Sequence, residues 1–161
     1  FIGMLLKAGA DINKPTKNGA TPVYVAAFNG HAPAIAALHV AGANVNTSNK
    51  DGATPVYVAA FNGHASAITA LHAADANVNT ARGDSDTPLC AAARNGYALA
   101  VSALLEAGAD CSLKTKWGTA LEQAKRGKEA GYREVVKVLE EHLQRYPNGI
   151  KATEARKLGK T

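Results

Sequence analysis

Eleven residues, TPVYVAAFNGH, run from Thr21 to His31 and return unchanged from Thr54 to His64, thirty-three positions later. An edited copy, TPLCAAARNGY, follows at the same distance from Thr87 to Tyr97, and a shorter echo, TALEQAK, spans Thr119 to Lys125. A fixed period of this size describes a row of supersecondary units, each leaning on its neighbours, in place of one globular core.

Each copy encodes a short helix. Thr21 is suited to the N-cap, because its hydroxyl can accept from a free N–H of the first turn. Pro22 follows at the first helical position, where its missing N–H costs nothing. Val23, Ala26 and Ala27 lie on one stripe, and Gly30 can take the left-handed conformation that stops the helix. A second helix is predicted from Ala32 to Val40, with Pro33 tolerated in its first turn and Ile35 and Leu38 on its apolar face. Gly42 ends it, and a Gly-, Asn- and Asp-rich loop with hairpin-turn chemistry at Asp51-Gly52 leads to the next Thr-Pro. Helices of about 8–10 residues are marginal alone, so stability must come from stacking.

The pattern G-x-T-P-x-x-x-A-A-x-x-G-H, a Leu-bearing helix and then G-A-[DN]-[VI]-N resembles the ankyrin repeat. Residues 19–46 carry it in full and 52–79 with Asp75 in place of Gly, while 85–112 follow it loosely and 118–143 in outline. The resemblance implies an all-α solenoid of stacked helix-turn-helix units with β-hairpin loops. The units are a partial repeat at 1–17, repeats at 18–50, 51–83 and 84–116, and a divergent cap at 117–146, followed by a basic tail at 147–161. The chain starts within a unit at Phe1, which reads as a fragment or a trimmed N-terminus. The apolar face of the predicted helix Ile2 to Ala8 (Ile2, Met4, Leu5, Leu6) would be an exposed edge through which copies could associate.

Departures from the period carry information. Asp75 replaces a helix-ending glycine and is expected in a strained left-handed conformation. Ser85 replaces the glycine before Thr-Pro, so the third loop tip is expected to differ from its neighbours. The second helix of that unit is the more apolar (Leu99, Val101, Leu104, Leu105). The cap lacks one residue before Thr119, carries about three extra residues between its helices, and ends in an amphipathic helix, Tyr132 to Leu143. Its polar face (Glu134, Lys137, Glu140, Glu141) suits the end of a stack.

Formal net charge is +5, and Lys151, Arg156, Lys157 and Lys160 against Glu154 put most of it in the tail. A basic end can attract nucleic acid or acidic surfaces, but a solvated terminus is the simpler reading and nucleic acid the less favoured partner. No apolar run approaches the ~20 residues of a membrane span. Cys90 and Cys111 form no metal-type cluster and read as reduced thiols of an intracellular, cytoplasmic protein. His31, His39, His64, His72 and His142 give no metal set, since His31/His64 and His39/His72 follow the repeat and supply one ligand per unit and face. His39 and His72 fall where a second buried Leu would normally stand. No nucleophile elbow surrounds Ser85, and no phosphate-binding glycine loop is present. No enzyme, metal or cofactor is expected.

The resemblance implies binding of another protein in a concave groove lined by loop tips and the exposed ends of the first helices. The matching tips are Lys17, Asn18 and Ala20; Lys50, Asp51 and Ala53; Asp84 and Asp86; Lys116 and Trp117. The matching helix ends are Phe28 and Asn29; Phe61 and Asn62; Arg94 and Asn95; and Arg126. Phe28 and Phe61 stand out, because the stack does not need them and aromatic side chains anchor interfaces. The family usually has His where Tyr24, Tyr57 and Cys90 stand, so its hydrogen-bond network must be rebuilt here. It also includes members hydroxylated at the Asn matched by Asn13, Asn46 and Asn79. A scaffold or adaptor role leads. A regulatory arm of a larger signalling, channel or ubiquitin-ligase protein, tail-mediated binding, and a spacer follow.

Overall fold

The computed structural model describes residues 9–83 and 85–150, and the predicted helix at 2–8, residue Asp84 and the charged part of the tail lie outside them. The described residues form eight helices: α1 (Pro22–Phe28), α2 (Ala32–Val40), α3 (Pro55–Phe61), α4 (Ala65–Ala73), α5 (Pro88–Arg94), α6 (Ala98–Glu106), α7 (Ala120–Ala124) and α8 (Ala130–Arg145). The inner helices α1, α3, α5 and α7 pack in one row and the outer helices α2, α4, α6 and α8 in a second, each inner helix against its own outer one. This is an all-α repeat solenoid, and the core runs continuously along it between the two rows.

The residues explain the repetition. Thr21, Thr54 and Thr87 each accept from the backbone N–H three positions on, at Tyr24, Tyr57 and Cys90, and proline occupies the next position every time. The fourth unit uses a capping box: Thr119 accepts from the Glu122 N–H while the Glu122 carboxylate accepts from the Thr119 N–H. That Thr-x-x-Glu signal is legible in the sequence and was not among the expectations above. In α3 every residue except Phe61 is buried, because neighbours on both sides and an outer helix enclose it. Alanine fills these sites, since close approach leaves no room for larger side chains.

Gly30 and Gly63, with φ of 71° and 76°, end inner helices beneath a ring from the next unit. A Cβ on Gly30 would meet the His64 ring at 2.7 Å, and one on Gly63 the Tyr97 ring at 2.8 Å. His64 also places Nε2 3.1 Å from the Phe28 carbonyl oxygen. A second seam runs along the loops. Asn13, Asn46 and Asn79 each accept, through Oδ1, from the backbone N–H of Asn44, Asn77 and Asp110 in the following unit, at 2.8 Å in all three cases.

Several sequence expectations are corrected. The loops are not β-hairpins: among the described residues there is no strand, only an isolated bridge between Thr115 and Gly118. Each tip is a closed turn, with Asn49 N–H donating to the Ala53 carbonyl and Gly52 N–H to the Asn49 carbonyl. The chain then enters a proline-led helix at once, leaving no length for a ladder. The described residues of the third tip keep the backbone bonds of its neighbours but not their side-chain bonds, since Arg82 stands where Thr16 Oγ1 and Asn49 Oδ1 accept from N–H groups of their own tips. Arg82 N–H donates to the Asp86 carbonyl and Ser85 N–H to the Arg82 carbonyl, as in the other tips, with Ser85 held at φ 65°. Asp75 takes the left-handed conformation expected of it, at φ 59°.

His39 and His72 are exposed, and so is Leu99, which points to solvent at 78%. Leu105, at the position of those two histidines, is buried because the sixteen-residue α8 reaches over α6. The cap has five residues between its helices, 125–129, against three in the other units, so the insertion is two residues. Its last helix starts at Ala130 and ends at Arg145, longer at both ends than predicted. Residues 147–150, assigned by sequence to the tail, fold back onto the stack. The Gly149 carbonyl accepts from Cys111 N–H at 3.1 Å and from its Sγ at 3.2 Å, and Ile150 is buried.

Candidate protein-binding face

The inner-helix ends and the loop tips share one face, where two pockets form. The first, about 190 Å³, lies between α1 and α3 and is lined by Tyr24, Phe28, Val58 and Phe61, with Asp51 and Arg82 at the tips. The second, about 220 Å³, lies between α5 and α7 and is lined by Arg94, Trp117, Gln123, Arg126 and Tyr132. Phe28 and Phe61 are 52% and 43% exposed, each the last residue of its inner helix. Their position at the helix end, after the buried stripe has turned away, leaves the rings on the open face.

The two tyrosines rebuild the network that the missing histidines would have made. The Tyr24 hydroxyl accepts from Asn49 Nδ2 at 3.3 Å, while the Tyr57 hydroxyl donates to Asp86 Oδ2 at 2.9 Å. Burial pushes both phenols up from their ordinary pKa. Arg82 replaces Asn49 in the second copy and carries its guanidinium 5.8 Å from the centre of the Tyr57 ring.

In the third unit the face changes character. Asp86 and Arg94 stand where the earlier copies have Ala20 and Phe28, or Ala53 and Phe61. Arg94 grips the Asp86 carboxylate with both ends of its fork, Nη1 to Oδ1 at 3.1 Å and Nη2 to Oδ2 at 2.6 Å. Nη1 also donates to Gln123 Oε1 at 3.2 Å, and the guanidinium stacks 4.9 Å from the centre of the Trp117 ring. Gln123 Nε2 donates in turn to Thr115 Oγ1 and to the Gly118 carbonyl, both at 3.0 Å. A polar chain thus joins Tyr57, Asp86, Arg94 and Gln123 across three units. The hydrogen bond to Asp86 is the main cause that raises the Arg94 pKa, so the cation is secured.

This arrangement separates the residues that the sequence grouped together. Asp86 was expected at an exposed tip and is 1% exposed, as the buried anion of the network. Arg94 is half-buried and bonded within the stack. Asn62 and Asn95 donate through Nδ2 to the Phe28 and Phe61 carbonyls at 3.4 and 3.0 Å, closing the helix ends of the preceding unit. Asn29 bonds its own helix at the Val25 carbonyl. Lys17, Asn18, Lys50, Asp51, Lys116 and Arg126 are exposed, and Trp117 is partly so, with the Lys116 ammonium 4.2 Å from its ring centre. Asp84 lies outside the described residues. Tyr24, Arg82 and Tyr132 line the two pockets but were not among the expected face residues. The signal for the Asp86–Arg94 pair was present: opposite charges enter the same copy together, eight positions apart, where the other copies are neutral.

Among the described residues no group of three or more His, Cys, Asp or Glu is arranged to hold a metal ion, and no helix is long and apolar enough to cross a membrane. Cys90 and Cys111 are free and buried. A stack of helix pairs whose open face carries aromatic and basic groups is the architecture of a repeat-type interaction module. The family model described as ankyrin repeats (3 copies) matches residues 1–82, and that described as ankyrin repeat matches residues 84–116. The chain belongs to the ankyrin-repeat family, whose members are generally protein–protein interaction modules. No curated protein matches the chain.

Proposed function

We propose that this chain is a non-enzymatic module that binds another protein on the face formed by its inner-helix ends and loop tips. The observation that supports this most is the pair of exposed rings, Phe28 and Phe61, beside one pocket on that face. Phe61 meets the buried residues by stacking 6.3 Å from the Tyr57 ring while much of its own surface stays open, and apolar aromatic surface flanked by polar rims is what anchors an interface. The experiment is an affinity capture that compares the native chain with a Phe28→Asp, Phe61→Asp double variant of unchanged melting temperature. Partners retained by the native chain and lost by the variant are expected. Identical captures would remove this face from consideration.

A further inference from the structure

The two pockets differ in chemistry, and the difference has a direction along the stack. The pocket between α1 and α3 is walled mainly by Tyr24, Phe28, Val58 and Phe61, with Asp51 and Arg82 at its rim, whereas the one between α5 and α7 brings Arg94 and Arg126 beside Trp117. Both are smaller than the ~300–1,000 Å³ of small-molecule sites, so each suits one side chain of a larger ligand. The exposed described charges of the face are Lys17, Lys50, Lys116 and Arg126 against Asp51 and Glu122, the latter standing where the earlier copies have Tyr24 and Tyr57, while the Arg94 and Asp86 charges offset each other. The face is therefore basic on balance, and at the Trp117 end Lys116 and Arg126 outnumber Glu122.

Neighbouring packed helices lie about 8–10 Å apart, and the pockets are two such steps apart, so roughly 16–20 Å separates them. An extended chain advances about 3.3 Å per residue and spans that distance in five or six residues. We propose that the occupant is an extended acidic segment of a partner protein. One bulky apolar side chain sits between Phe28 and Phe61, and carboxylates five or six residues along meet Lys116 and Arg126. This rests on the protein-binding reading above and specifies the chemistry of the partner. Opposite charge steers the segment onto the face and sets its direction, while the apolar anchor supplies most of the affinity.

The test is a display library of random twelve-residue peptides selected on the whole chain, followed by titration of an enriched synthetic peptide. Enriched sequences should pair a Leu, Ile, Phe or Trp with Asp or Glu five or six positions away. A Lys116→Glu, Arg126→Glu variant should bind that peptide at least about tenfold more weakly, and added salt should weaken native binding in the same sense. Both residues are exposed, so an unchanged melting temperature establishes that the variant is folded. Enriched peptides without acidic residues, or no enrichment at all, would overturn the proposal. If peptides without acidic residues still require Phe28 and Phe61, the binding face stands and only the partner chemistry fails. Peptides bound equally by the Phe28→Asp, Phe61→Asp variant would overturn both readings.

Discussion

The hydroxyl of Tyr57 donates to the carboxylate of Asp86 at 2.9 Å, tying the second unit to the third through a buried charge. Arg94 holds the same carboxylate from its own unit, so the two donors are not equivalent. Tyr57→Phe leaves the anion paired and is expected to destabilise by about 1–1.5 kcal/mol. Asp86→Ala leaves both donors without their acceptor. Because Arg94 is a third exposed and regains water, the loss should be about 2–3 kcal/mol, less than for a fully buried pair. Urea denaturation of the single and double variants measures both, and the cycle between them isolates the coupling. Equal losses would place the pair's energy elsewhere.

Asp75 sits at φ 59° where the neighbouring copies end the same helix with Gly42 and Gly108, at 88° and 90°. A Cβ in that region is strained. Asp75→Gly relieves it at the cost of some unfolded-state entropy, for an expected net gain of roughly 0.5–1 kcal/mol. A thermal melt reads this directly, and a lower melting temperature would contradict the strain argument.

The asparagine seam is graded along the stack. Asn46 is exposed and bonds across through its Oδ1, whereas the half-buried Asn79 accepts from Asp110 N–H and also donates Nδ2 to the Gly108 carbonyl at 3.2 Å. Asn79→Ala therefore orphans two backbone groups with less access to water, and should cost about 1–2 kcal/mol, against about 0.5–1 for Asn46→Ala. Amide hydrogen exchange at Asn77 and Asp110 provides a local check, with the larger acceleration expected at Asp110.

Alkaline pH should loosen the stack. Burial, with Asp110 as the second cause, pushes the Cys111 thiol up from 9.0 to about 11, and burial also raises Cys90, Tyr24 and Tyr57. These groups stay neutral longer when folded, so the unfolded chain releases protons first as pH rises. The Cys111 contribution is complete below the ordinary thiol value of 9.0 and is lost as pH climbs towards 11. Denaturation free energies measured across that window should fall with pH, and Cys111→Ser should flatten the slope. A slope unchanged by the substitution would remove Cys111 as a contributor.

The sequence by itself determined the units. Thr at the N-cap, Pro at the first helical position and Gly after the last turn are local instructions, and their recurrence at one period placed the starts of the inner helices at Pro22, Pro55 and Pro88 and the outer helices of the first and third full units at Ala32–Val40 and Ala98–Glu106. The strain at Asp75 was legible for the same reason, since backbone conformation at a helix end depends on the residue itself. The tertiary structure decided what each polar side chain does. Asp86, Asn62 and Asn95 look like exposed tip and helix-end residues in one dimension, yet their partners lie in a neighbouring unit, about one period away in the chain or on the next helix face. Burial is likewise a property of neighbours: Leu105 is covered because α8 extends over it, while His39 and His72 at the matching positions stay in water. Helix signals act over a few residues, but stacking brings together groups that no local rule connects, and it left Phe28 and Phe61 on the open face.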